Sequence, residues 1–154
     1  MPVTEGTAAP DFSLLSDAGT TVTLSSLRGS PVVLYFYPRD DTPGCTKQAC
    51  GVRDAWDAFT AAGAVVLGVS PDGQASHEKF RAKFELPFTL LSDPDHTVAE
   101  AYGAWGEKSM YGKKYMGIVR STVVIDADGK VKAVFPKVKP DAHARQVLDA
   151  LEAK

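Results

Sequence analysis

A chain of 154 residues, 44% of them hydrophobic, is the size of one ordinary domain around a single well-buried core, so one domain over residues 1–154 is expected. Its formal charge of −2, with Lys and Arg scattered among Asp and Glu, offers no basic stripe that could neutralise a row of phosphates, which argues against a nucleic-acid partner. No apolar run approaches the roughly 20 residues that cross a bilayer, and Met1-Pro-Val-Thr-Glu5 lacks the basic and apolar regions of a leader, so a soluble cytoplasmic protein is expected.

Near the start of the chain, Asp11-Phe-Ser-Leu-Leu15 and Thr21-Val-Thr-Leu24 around Asp17-Ala-Gly19 predict a small hairpin. Pro31-Val-Val-Leu-Tyr-Phe-Tyr37 is a continuous apolar and β-branched run, the pattern of a strand buried on both faces. Ala64-Val-Val-Leu-Gly-Val-Ser70 has the same character. Between them Val52, Ala55, Trp56, Phe59 and Ala62 recur at helical spacing and Gly63 supplies a stop, which makes a βαβ unit with parallel strands. A further helix is predicted over Gln74 to Phe84, closed by Leu86-Pro87, then a short strand over Phe88 to Leu91 and a brief helix over Asp95 to Tyr102.

Gly103 to Gly117 is rich in Gly and Lys without a clear period and reads as a mobile surface loop, in which Trp105 and Tyr111 serve as packing residues. Two strands, Ile118 to Asp126 and Lys130 to Phe135, flank Ala127-Asp128-Gly129, a hairpin signal. A last helix from about Asp141 turns Ala144, Val147, Leu148 and Leu151 inward. Alternating strands and helices followed by an antiparallel hairpin describe an α/β protein, a central mixed sheet flanked by helices, and fit a thioredoxin-like fold with an added N-terminal hairpin.

Two cysteines are too few for a secreted disulfide framework in a core of this size. The three histidines, His77, His96 and His143, lie far from Cys45 without ligand spacing; each reads as a surface-helix or helix-cap residue, and no metal is expected. The informative stretch is Pro38-Arg-Asp-Asp-Thr-Pro-Gly-Cys45-Thr-Lys-Gln-Ala-Cys50. Thr42 before Pro43 marks a helix start, with Thr as N-cap and Pro as first helical residue, so Cys45 falls in the opening turn. Outward-pointing amides and the positive end of the helix dipole favour a thiolate there. The alternative for Cys45 is a small buried hydrophobe, which its position off the Val52/Trp56/Phe59 stripe argues against.

Cys50, five residues on, lies roughly 8–9 Å away along a helix with its side chain turned by about 140°. That is beyond disulfide reach, so the two can join only if the first turns unwind; the alternative is a buried helix residue without chemistry. Arg120, a cation in an otherwise apolar strand, needs a partner: the Cys45 thiolate, or a structural carboxylate such as Asp126. Thr42 is read equally well as a cap or as a hydroxyl donor to substrate. Asp40 and Asp41 read as solvated turn residues.

Pro38-x-x-x-Thr42-x-x-Cys45 matches the active-site motif of the peroxiredoxins, and the second cysteine five residues on resembles the bacterioferritin-comigratory-protein, or peroxiredoxin Q, branch. The likeness runs from Ala9-Pro-Asp-Phe12 to Gly106-Glu-Lys, Met110-Tyr-Gly and Gly117-Ile-Val-Arg120-Ser-Thr. It implies a thioredoxin-like fold, Cys45 as peroxidatic and Cys50 as resolving cysteine, Pro38 shielding the thiolate, Thr42 bonding the peroxide and Arg120 orienting both. It also implies hydrogen peroxide and organic hydroperoxides as substrates, thioredoxin or a similar dithiol protein as reductant, a monomer, and no metal, haem or flavin cofactor. Gln48 departs from the Glu of many relatives. Two rival functions share the same cysteines: a peroxide-sensing redox switch, and a general disulfide oxidoreductase, whose usual Cys-x-x-Cys spacing is not present.

Overall fold

The computed structural model describes residues 3–140 and 142–152. Its centre is β3 (Val32–Phe36), every residue of which is buried. β3 pairs in parallel with β4 (Val65–Ser70), as the two apolar runs predicted, and β4 pairs in parallel with β5 (Thr89–Ser92). On the other side β3 runs antiparallel to β8 (Ser121–Ile125), which turns into β9 (Val131–Phe135). The predicted N-terminal hairpin is β1 (Ser13–Ser16) with β2 (Thr21–Thr23), attached antiparallel to β5. The sheet order is β2-β1-β5-β4-β3-β8-β9, a mixed seven-stranded sheet.

Two-residue periodicity sends β3 side chains to opposite faces. Val32, Leu34 and Phe36 join Leu67, Val69, Leu91 and Val123 in one core, covered by α4 (Thr97–Ala101) through Val98 and Ala99. Val33, Tyr35 and Tyr37 join the opposite core, covered by α1 (Pro43–Asp54), α2 (Trp56–Ala61), α3 (Gln74–Phe84) and α5 (His143–Glu152). Val147 of α5 is buried, with Ala144, Leu148 and Leu151 packed partly buried around it as predicted; the predicted start at Asp141 lies outside the described residues. α3 ends in a Schellman pair, Leu86 N–H to Arg81 O and Glu85 N–H to Ala82 O, with Glu85 in the left-handed region at φ 51°.

Three predicted elements differ, the first being the single strand expected to carry Arg120, which is broken at Val119 and Arg120 so that its two parts belong to different sheets. The long helix after Cys45 is interrupted at Ala55 (φ −100°, ψ 14°), so its apolar stripe belongs to two helices, α1 and α2. The segment expected to be a mobile loop is a regular hairpin, β6 (Trp105–Met110) with β7 (Lys113–Ile118). Tyr111 (φ 52°) and Gly112 (φ 79°) both take positive φ in its two-residue connection, as a type I′ turn requires. Its polar outer half hides the strand period, and Tyr111 is 98% exposed rather than a packing residue. Trp105, at the base, packs against the core and stacks on His96 at 3.7 Å.

Gly68 shows how tightly the second core is filled. A Cβ there would sit 2.9 Å from Tyr35 Cζ and Oη and 3.0 Å from Leu90 Cδ2. Gly68→Ala gains about 0.5–1 kcal/mol of backbone preference against roughly 1–3 kcal/mol of overpacking. A net loss of stability is expected in urea denaturation; a stabilised variant would show that Tyr35 can move aside.

Candidate active site

Thr42 is the N-cap of α1 with extended backbone (φ −98°, ψ 155°), and Pro43 is the first helical residue, as the sequence predicts. The Thr42 hydroxyl, however, does not cap. It donates to Arg39 O at 3.0 Å, so the capping half of the expectation is withdrawn. Cys45 sits in the opening turn, where helix amides lack intrahelical acceptors. It is 2% exposed and belongs to the second core with Tyr35, Ala49 and Val52. The argument that Cys45 lies off the apolar stripe is thereby corrected: residues 45, 48, 49 and 52 are the buried face of α1.

Burial does not make the thiol inert, because it holds a charged partner. Arg120 lies in the link between β7 and β8, its backbone O accepting from Val138 N–H at 3.1 Å. Its side chain crosses to α1, where Nη2 donates to Cys45 Sγ at 3.3 Å and Nη1 donates to Gln48 Oε1. Of the two partners foreseen for Arg120, the structure provides the sulfur and not Asp126. Gly44 permits this approach: a Cβ on it would stand 3.1 Å from Arg120 Nη2. Pro38, half-buried, shares a groove with Arg120, Lys108, Val119 and Val138. Burial and the nearby Arg120 charge push the Lys108 ammonium below its ordinary pKa, with Cys45 opposing. Burial first, then the Cys45 charge, hold the Tyr35 phenol well above its ordinary pKa, so it stays protonated.

Cys50 is half-buried on α1, and both cysteines are free within one unbroken helix, as expected of the reduced state. A buried thiol that accepts a hydrogen bond from a guanidinium at a helix start has the surroundings a nucleophile needs toward an electrophile that accepts hydrogen bonds as it is cleaved.

The AhpC/TSA family model matches residues 6–134. A putative peroxiredoxin bcp of Coxiella burnetii is 52% identical over 151 residues, covering 98% of this chain and all of its own length. The peroxiredoxin Bcp of Bacillus subtilis is 47% identical over 152 residues, 99% of this chain and 97% of that protein. A solved structure of Xanthomonas campestris peroxiredoxin Q superposes with a TM-score of 0.89 at 40% identity, covering 96% of each chain. The chain belongs to the AhpC/TSA family. It is a peroxiredoxin of the Bcp and peroxiredoxin Q kind, a thiol-dependent peroxidase with the thioredoxin-like architecture expected of it.

Three polar features of this peroxiredoxin escaped the sequence. Asp40, expected to be solvated, is 8% exposed and accepts from Tyr37 Oη at 2.5 Å and Ser76 Oγ at 2.8 Å. His77, expected at the surface, is fully buried. Its Nε2 donates to Leu91 O at 2.8 Å, because a carbonyl only accepts, and its Nδ1 meets Asp40 Oδ2 at 2.7 Å with a proton between them. The Asp40 amide also donates to Asp72 Oδ2 at 2.7 Å, so the segment entering α1 is tied to the link between β4 and α3. The available signal was position: His77 lies on the α3 stripe with Phe80 and Phe84. Asp41 is solvent-exposed as expected, although it pairs with Lys83 at 2.7 Å.

His143 is likewise buried and not a surface residue, lying one turn before Val147 on the inner face of α5. It shares a hydrogen bond with Thr122 Oγ1 at 2.8 Å. His96 does occupy the N-cap of α4, with no side-chain capping bond. Among the described residues, no group of three His, Cys, Asp or Glu side chains is placed to hold a metal ion.

Burial, aided by the Arg120 charge, lowers the His143 pKa from 6.5 to about 4. The unfolded chain takes up this proton near pH 6.5 while the folded chain refuses it until about pH 4, so stability is lost as pH falls between those values. Between pH 7 and pH 5 the loss is about 2 kcal/mol. Urea denaturation at both pH values should show that decrement in the wild type and a smaller one in His143→Gln.

Proposed function

We propose that Cys45 is the peroxidatic nucleophile, Cys50 the resolving thiol, and Arg120, Thr42 and Pro38 their supporting groups. The observation that carries this reading is the 3.3 Å contact from Arg120 Nη2 to Cys45 Sγ at the start of α1. A guanidinium so placed favours the thiolate and leaves donors for a peroxide oxygen. The thiolate attacks the distal oxygen of a hydroperoxide, the O–O bond breaks, and Cys45 becomes a sulfenic acid while the leaving alkoxide or hydroxide takes a proton. Charge builds on that leaving oxygen, so Arg120 and the helix amides bind the transition state more tightly than the ground state. The Thr42 hydroxyl adds a donor when it turns from Arg39 O, and Pro38 keeps bulk water from the sulfur.

After the first turns of α1 unwind, the Cys50 thiol condenses with the sulfenic acid, forming the disulfide and releasing water. Thiol–disulfide exchange with thioredoxin or a similar dithiol protein restores both thiols. Hydrogen peroxide and organic hydroperoxides are the substrates in this reading. Its support is the likeness, at a TM-score of 0.90 and 39% identity, to a Xanthomonas campestris bacterioferritin comigratory protein described for alkyl peroxide reduction. The protein acts as a single-domain monomer in the cytoplasm.

Intact mass and thiol counting after one equivalent of hydrogen peroxide test the assignment. The wild type should lose both thiols, Cys50→Ser should gain one oxygen, and Cys45→Ser should stay unmodified; retained peroxide turnover in Cys45→Ser would end the reading. Stopped-flow oxidation of Arg120→Ala should be about 10- to 100-fold slower than wild type, the equivalent of roughly 1.5–3 kcal/mol for a hydrogen bond to a charged group. An unchanged rate would remove Arg120 from the site.

A further inference from the structure

Gln48 lies one turn beyond Cys45 on α1, and none of it reaches solvent. Arg120 can only donate, so its bond to this side chain fixes the amide with Oε1 toward the guanidinium. Nε2 then points elsewhere and has no hydrogen-bond partner among the described residues. One planar cation therefore serves two acceptors, the Cys45 sulfur, which can carry charge, and an amide oxygen, which cannot. A carboxylate of the same size would form an ion pair with Arg120 through one oxygen and leave its other, charged oxygen where Nε2 now stands unpaired. The amide is the poorer choice for holding the helix together, and a local rule broken beside a reactive atom directs attention to that atom.

We propose that Gln48 is a positioning residue that reserves the Arg120 charge for Cys45 and keeps the first turns of α1 easy to unwind, so that oxidised Cys45 reaches Cys50 before a second peroxide reaches it. The proposal rests on the Cys45–Cys50 assignment given above. Its first half is electrostatic: a carboxylate at 48 would neutralise the guanidinium and place a like charge near the sulfur, disfavouring the thiolate. Its second half is topological. Residue 48 lies between the two cysteines, so any path to the disulfide carries it away from Arg120. Parting a neutral amide from a cation is easier than parting a buried ion pair, which leaves two uncompensated charges. The competing step transfers a second peroxide oxygen to the sulfenic acid, giving a sulfinic acid and an alcohol or water, and it wins when unwinding is slow.

Gln48→Glu and Gln48→Met separate these effects from simple packing. Three quantities are read in each protein: the pH profile of single-turnover Cys45 oxidation, the rate of disulfide formation, and the sulfinic fraction by intact mass under excess hydrogen peroxide. In Q48E the profile should move up by about one pH unit, disulfide formation should slow about tenfold, and the sulfinic fraction should rise. Q48M, which has neither the carboxylate nor the bond to Arg120, should keep its profile at or below that of the wild type and close its disulfide no more slowly. A Q48E protein that matches wild type in profile and disulfide rate overturns the proposal, as does a Q48M protein slowed as much as Q48E. Wild type that forms the disulfide while Q48E behaves identically sinks this inference alone. Wild type that keeps its Cys50 thiol after one equivalent of peroxide sinks the underlying assignment.

Discussion

A guanidinium reaching across a glycine to a buried sulfur is the contact around which the site is organised. Arg120 comes from the link between two sheet strands and Cys45 from a helix on top of the sheet, so their 3.3 Å approach needs both elements in register. Gly44 contributes by what it lacks, since a Cβ would stand 3.1 Å from Arg120 Nη2. The sulfur is thus removed from water and given a cation at once.

The site is clamped from two sides by different physics. On the sheet side the clamp is charge, through Arg120 shared between Cys45 and Gln48. On the other side, Asp40 just ahead of α1 is anchored by Tyr37, Ser76, His77 and the acceptor Asp72, all buried or partly so. A satisfied polar cluster of this kind is stiff because any displacement leaves a buried group unpaired. Its contacts begin before Thr42 and involve no residue of α1, so the helix can change while its point of departure stays put.

The chain order of strands and helices was legible because β3 and nearly all of β4 are apolar runs, and Leu86-Pro87 supplies a stop just after α3. Cys45, Thr42 and Pro43 were legible because a helix start is a local event. Arg120 stood out as a cation in a run that reads as one apolar strand, although it lies in the link between β7 and β8. What stayed hidden depends on partners distant in sequence: nothing local distinguishes Asp40 from its exposed neighbour Asp41, yet one is buried against His77, 37 residues away, and the other faces solvent. The β6–β7 hairpin was missed for the opposite reason. Its ladder forms through backbone groups whose side chains are mostly polar, so the hydrophobic period on which strand recognition rests is absent.

The division of the interior into two cores, one on each face of the sheet, bears on what a catalytic cycle can cost the molecule. The start of α1 covers only part of one core, while Phe12, Leu34, Phe36, Val98 and Tyr102 lie on the far side of the sheet. Unwinding near Cys45 therefore leaves the opposite layer dry and the backbone ladder of β3 intact on both of its edges. Local opening and global unfolding are separated by a whole layer of packing, so the unwinding that the proposed cycle requires can recur without exposing strand edges to aggregation.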